Sequence, residues 1–284
     1  MAAQPKPRRA AAHQQATHQP ATHRGLSRTG KWTRGVAGVA VLFLLSEALG
    51  RAGIVDRSYL PPASAVTARA FRLAGDAEFL LNVRATLTAW ALGLALAVAL
   101  AVPLGLLLGS VPAVNTATRA IVEFLRPIPS VALIPLAGLL LGSGLAMEVP
   151  LIVYASVWPI LFNTMYGLDE ADPVAKDTLR AFGFGRAQIM LRVSLPSAAP
   201  FIATGIRLAA AIALILAVGT EILSGFGEGL GIFIAQAGNV PDGTRDVLAG
   251  TVWAGCLGLL IDTVLVRGER RAFRWHHAAR DGAA

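Results

Sequence analysis

Charge is scarce in this chain. Only 15% of its 284 residues are Asp, Glu, Lys or Arg, where a soluble domain carries about 25%. Cysteine is nearly absent, with Cys256 standing alone. That excludes an intrachain disulfide and leaves no thiolate metal site. The histidines His13, His18, His23, His276 and His277 all fall near the two ends. None lies in an apolar run, where it could relay protons or hold a metal. Paired carboxylates, nucleophile–base pairs and metal clusters are also missing, so intrinsic enzyme activity has no residues to carry it. The period-2 alternation of a membrane β-barrel is absent as well.

What is present is apolar. Hydrophobic residues make up 55% of the chain, and its mean hydropathy is +0.59. No formal charge occurs between Arg84 and Arg119, from Pro127 to Met147, or from Val149 to Leu168. Ser194 to Ser224 holds only Arg207 and Glu221, and Val247 to Val266 only Asp262. Gly35 to Gly50 is shorter and carries Glu47. About 20 apolar residues cross the hydrocarbon core as a helix, and a helix satisfies its own backbone there. The runs predict an all-α polytopic membrane protein. Its six transmembrane helices are expected at about 34–52, 85–109, 128–146, 149–167, 199–223 and 247–266. The transmembrane domain then covers 34–268, between a basic tail at 1–33 and a short tail at 269–284.

The net charge of +8 is unevenly placed. On this topology nineteen of the 25 Lys and Arg residues fall on one side, and six on the other. The positive-inside rule puts the richer side, with both termini, in the cytoplasm. Because the charge flanks membrane spans, a nucleic-acid partner is not expected.

Residues 1–33 contain Pro, Ala, Gln, Arg and His and no acidic residue. Such a segment cannot bury a core, and disorder is expected. Its basic stretch is longer than an entire signal peptide, usually about 15–30 residues. Gly25–Thr33, "GLSRTGKWT", nearly spells a phosphate-binding loop. Trp32 stands where a hydroxyl would hold magnesium, and a membrane helix follows, so nucleotide binding is not expected. Between the first two spans, Pro61 and Pro62 break the chain. An amphipathic stretch with Val66, Ala70, Phe71 and Leu73 follows and is expected to form a helix on the outer surface.

One cytoplasmic segment interrupts the apolar runs: "DPVAKDTLRAFGFGRAQIMLRVSLP", Asp172 to Pro196. Asp172 and Pro173 form a helix start, since Asp caps free N–H groups and Pro suits the first turn. Val174, Thr178, Leu179, Ala181 and Phe182 lie on an apolar stripe, with Lys176, Asp177 and Arg180 opposite. Gly183 ends this helix in a left-handed turn. A second helix begins near Arg186, and Pro196 is expected to break it. Two short helices around a glycine turn must bury their apolar faces on the protein itself, on lipid, or on another subunit.

These residues resemble a motif of the permease subunits of bacterial ABC importers, E-A-A-x3-G-x9-I-x-L-P. Here it reads Asp177-Thr178-Leu179, then Gly183, then Val193-Ser194-Leu195-Pro196, with complete spacing. Asp replaces Glu, and Thr-Leu replaces Ala-Ala. "EFLRPIPSVALIPLAGLLLGSG", "WPILFNTMYGLDEAD", "EILSGFGEGLGIFIAQA" and "LIDTVLVRGERRAFRWH" resemble the branch serving nitrate, sulfonates and taurine. The resemblance spans about residues 35–275. It implies a type I importer permease in the bacterial cytoplasmic membrane, importing a small anionic or zwitterionic solute. It further implies a homodimer, two ATP-binding subunits that hold ATP and magnesium, and an extracytoplasmic solute-binding protein. This chain itself would hold no cofactor. Asp177, Thr178, Leu179, Gly183, Val193, Leu195 and Pro196 would form the coupling loop to the ATPase.

Ionisable groups inside a membrane are costly and point to function. Arg207 and Asp262 lie near cytoplasmic helix ends, where snorkelling or pairing is expected. Glu47 and Glu221 lie near outer ends. Glu221 opens one family-like stretch and is a candidate gate. Asn163 and Thr164 could line a path or hydrogen-bond between helices. Pro127, Pro129 and Pro135 are expected to kink or break the start of the third span. A secondary transporter or channel is a competing reading, but it would more readily show inverted repeats or a charged relay. A membrane docking protein without transport is another.

Overall fold

The computed structural model describes residues 28–53, 56 and 58–273. The expectations for the terminal tails beyond these, with all five histidines, lie outside the described residues. Residues 28–33 of the phosphate-loop lookalike belong to a helix. The chain divides into two compact units, Met1–Leu45 and Ser46–Ala284. The described part of the first unit is helical.

Every element among the described residues is helical: α1 (Arg28–Ala52), α2 (Ala63–Leu73), α3 (Ala77–Ser110), α4 (Pro112–Leu125), α5 (Ile134–Leu141), α6 (Leu145–Asp169), α7 (Pro173–Ala181), α8 (Arg186–Ile189), α9 (Leu195–Ser224), α10 (Leu230–Gly238) and α11 (Thr244–Ala272). A 3₁₀ turn, Ser130–Leu133, precedes α5, and a π turn, Met190–Ser194, joins α8 to α9. Five helical stretches are long and apolar enough to cross a membrane, or six if one bent pair counts as a span.

That bent pair corrects the third expected span. No single helix covers 128–146. Instead α4 and the Ser130–Leu141 stretch meet at 75°. Pro127 and Pro129 supply no backbone N–H at the junction, which ends the ladder of α4. At the other end Gly142 and Gly144 adopt positive φ and separate α5 from α6. Eight residues of α5 reach about 12 Å, too short to cross a core of about 30 Å.

The centre of the second unit is α3, α6 and α9 packed together. Close approach here needs small residues, since lipid offers no hydrophobic drive for helix association. A Cβ on Gly105 of α3 would sit 2.7 Å from Thr164 Cβ of α6. On Gly205 of α9 it would sit 2.9 Å from the Pro159 carbonyl oxygen. α10 and α11 pack beside this trio. Phe79 stacks edge-on against Phe233 and Trp253, with centroids 4.9 and 5.5 Å apart.

Asp76 starts α3 by accepting from the N–H groups of Glu78 and Phe79 at 3.0 and 3.2 Å. α2 lies on α11, burying Val66, Ala70 and Leu73. Phe71, expected on the same apolar face, is exposed instead. Trp253 Nε1 donates to the Ala70 carbonyl at 2.9 Å, and Arg69 pairs with Asp246. Glu47 accepts from both the N–H and the hydroxyl of Ser64 at 2.9 Å, and so caps the start of α2.

Candidate functional site

The Asp172–Pro196 segment closes one end of the bundle, called here the hairpin end. Asp172 accepts from Val174 N–H at 2.8 Å, and Pro173 opens α7. At the other end of α7 two crossed bonds end the helix. Phe184 N–H donates to Leu179 C=O at 3.0 Å, and Gly183 N–H to Arg180 C=O at 2.9 Å. This is the Schellman pattern, and it places its C′ residue in the left-handed region. Gly183 has φ +80° there.

The second helix departs from expectation. Pro196 does not break it. Residues Arg186–Ser224 run as one apolar stretch, through the π turn at Met190–Ser194. Pro196 lacks an N–H and sits in the first turn of α9, where the widened π turn absorbs the missing bond. Of the motif residues, Asp177, Thr178 and Leu179 lie on α7 with Gly183 at its end. Val193 lies in the π turn, and Leu195 and Pro196 start α9. α7 packs on α8 and on the π turn, which brings the two halves of the motif together.

Apart from half-buried Leu179, the apolar stripe of α7 is not covered by its own chain. Val174 and Phe182 are 70% and 77% exposed, and Thr178 between them is also exposed. These three follow i, i+4, i+8 and share a face. Lys176 turns the other way and donates to the Leu168 carbonyl at the end of α6, at 3.1 Å. Asp177 pairs with Arg180 at 2.6 Å, both in the open.

Asn163 and Thr164 lie on α6, nearer the hairpin end. Asn163 donates to Pro159 C=O and Thr164 to Ile160 C=O, each at 2.7 Å. Thr164 is fully buried against Gly105. The structure does not bring either together with Glu221. Arg207 faces Asp262 and Glu269, at 3.9 and 3.7 Å.

Glu221 lies at the opposite, far end of the bundle, and it is fully buried. Its Oε2 accepts from the Thr86 hydroxyl at 2.9 Å and from Gly231 N–H at 2.7 Å. Thr86 Oγ1 also accepts from Leu230 N–H, and Asn82 Oδ1 from Gly229 N–H, each at 2.8 Å. Three side chains thus satisfy the first N–H groups of α10, which a helix start leaves free. The fit is tight: a Cβ on Gly231 would lie 2.3 Å from Val218 C=O. The second oxygen of Glu221, Oε1, has no hydrogen-bond partner.

Sequence reasoning missed Asn82, Thr86 and Glu148. Glu148 separates two charge-free runs, and so reads as a loop residue. In the structure it sits in the first turn of α6, only 3% exposed. It lies within electrostatic reach of Glu221. The available signal was a single carboxylate bracketed by apolar runs on both sides.

This architecture can be placed among known proteins. Residues 101–273 match the family described as binding-protein-dependent transport system inner membrane component. The taurine transport system permease protein of Escherichia coli (strain K12) is 28% identical, over 86% of this chain and 90% of that protein. The nitrate import permease protein of Synechocystis is 29% identical, over 64% of this chain and 66% of that protein. A crystal structure of a bacterial ABC transporter involved in alginate import superposes with a TM-score of 0.61. It covers 86% of this chain and 99% of its own, at 15% identity, a likeness of fold. The matched segment takes in the hairpin, α9, α10 and all of α11, so this chain belongs to the family of binding-protein-dependent transport inner membrane components.

Proposed function

We propose that this chain, a permease subunit of a binding-protein-dependent ABC importer, is driven through its hairpin by a separate ATP-hydrolysing subunit. One observation carries this reading: the open face of α7 formed by Val174, Thr178 and Phe182. A capped helix with exposed apolar residues is a docking surface, and its anchoring at Lys176 joins it to α6. Movement of the hairpin is thereby transmitted to α6 and, through the π turn, to α9. Asp177, Thr178, Leu179, Gly183, Val193, Leu195 and Pro196 make up this coupling unit.

The hairpin and both termini are assigned to the cytoplasm, a placement that the bias of Lys and Arg supports. Two permease copies act with two ATP-binding subunits, which hold the ATP and magnesium. Exposed Leu139 and Leu140 on α5 and Ile215 on α9 suit a second copy or lipid. A solute-binding protein delivers a small anionic or zwitterionic solute at the far end. Such a ligand shifts an inward–outward equilibrium only through different affinities for the two states. The Glu221 clamp on α10 is the gate at that end. Asn163, half-buried on α6, lies along the path, while Thr164 packs α6 against Gly105 of α3.

Reconstitution in liposomes tests the reading. Uptake is expected only with internal ATP, the ATPase subunits and the external binding protein. Uptake by the chain alone, driven by an ion gradient, would instead make it a secondary transporter.

A further inference from the structure

The far end holds a cavity of about 350 Å³ between α3, the start of α6 and the loop before α10. Leu81, Arg84, Thr88, Leu145, Glu148 and Glu228 line it. Its charges are one guanidinium and two carboxylates. Arg84 and Glu228 are exposed at the rim, while Glu148 is 97% withdrawn from solvent, being 3% exposed.

Glu148 is the anomaly. A buried carboxylate in a membrane span is costly unless paired and hydrogen-bonded. Its backbone N–H donates to Gly144 C=O at 3.0 Å, but none of the ion pairs or side-chain hydrogen bonds among the described residues involves the Glu148 carboxylate. Its charged neighbour is another carboxylate, Glu221, which adds repulsion rather than relief. No ion pair joins Arg84 to Glu148 or Glu228 either, so the guanidinium is not committed to either acid. The Thr88 hydroxyl donates to Arg84 C=O at 2.8 Å, and its lone pairs stay free to accept a second donor.

We propose that this cavity is a solute subsite for a protonated amine, with Glu148 as the counter-charge. Arg84 at the rim receives an anionic group on the same solute. This rests on the importer reading above and sharpens its substrate class. Glu148 repels a simple inorganic anion such as nitrate, and the cavity's net charge is negative. An amino-substituted anion satisfies both signs at once and gives the buried carboxylate a hydrogen-bonding partner. Solute arriving from an external binding protein meets this end of the bundle first.

The test uses the complete complex of permease, ATPase and lipid. Leu81→Cys is labelled with a maleimide in a Cys256→Ser background, and four probes compete. Taurine and methylammonium carry an amine; 2-hydroxyethanesulfonate and nitrate do not. A probe at twice its dissociation constant leaves one third of the sites free, so alkylation slows about threefold. Slowing by at least one amine probe, and by neither amine-free anion, is the expected result. Glu148→Gln removes the protection and Glu148→Asp keeps part of it. Protection by nitrate or 2-hydroxyethanesulfonate, protection by no probe, or undiminished protection in Glu148→Gln overturns the proposal. The four-probe comparison stands even if a variant at 148 fails to assemble. Stimulation of ATP hydrolysis by the binding protein, measured on the same complex, reports on the importer reading separately. If stimulation holds and protection fails, only the amine subsite falls.

Discussion

Gly183 shows how a single residue governs the hairpin. Its φ of +80° is open to glycine and strained for any residue with a Cβ. A Cβ there would meet nothing within 4 Å, so the obstacle is backbone conformation and not space. A left-handed conformation costs other residues about 1–2 kcal/mol, and β-branching adds to it. Gly183→Val is therefore expected to distort the end of α7 while the spans insert normally. Solute uptake per inserted molecule, measured in membrane vesicles, should fall steeply; uptake unchanged from the parent would contradict the coupling role. Asp172 and Gly183 were legible in the sequence because caps are local chemistry, settled within a few residues. Glu221 was legible as a charge in an apolar run and a candidate gate, but its partners were not. Its partners Thr86 and Gly231 lie 135 and 10 residues away, and nothing local announces the first of these. Glu148 was visible only as a single carboxylate between two apolar runs, since its burial depends on how α6 packs.

At the scale of the element, α7 presents two faces with different duties. One side reaches its own chain through Lys176, and the other carries Val174, Thr178 and Phe182 into the open. The apolar stripe was visible as a 3.6-residue period, but a period does not say what covers it. Because Val174 and Phe182 touch little of their own chain, Val174→Asp with Phe182→Asp should leave the thermal stability of the isolated permease within about 0.5 kcal/mol of the parent, as for surface substitutions. The same pair should lose the ATPase subunit on affinity purification. Co-purification at the parent level would show that this face is not the contact. Pro196 teaches a related lesson. A proline reads as a break, yet a π turn just before it carries the chain through. The compensation lies in backbone geometry, which residue identity alone does not display.

At the scale of the whole molecule, membrane class and helical architecture followed from the charge-free runs, and five of the expected spans have long helices in the structure. The third did not, because composition counts apolar residues and does not count bends. Pro127 and Pro129 end α4, and the short 3₁₀ and α5 stretch leaves at 75°. α3 likewise exceeds its expected length: its 34 residues rise about 51 Å, more than a bilayer core of about 30 Å. Such a helix tilts or extends beyond the hydrocarbon, which carries Asn82 and Thr86 to the α10 clamp at the far end.

If force enters this bundle through α7 from a separate ATPase, as proposed, crosslinking captures the contact. Thr178→Cys, in a Cys256→Ser background, is treated with a short bifunctional thiol reagent in the assembled complex carrying single cysteines on the ATPase surface. A covalent product of permease and ATPase subunit is expected, formed from Thr178→Cys and not from a far-end position such as Leu81→Cys. Products confined to the permease itself or to lipid, with no adduct to the ATPase, would contradict it.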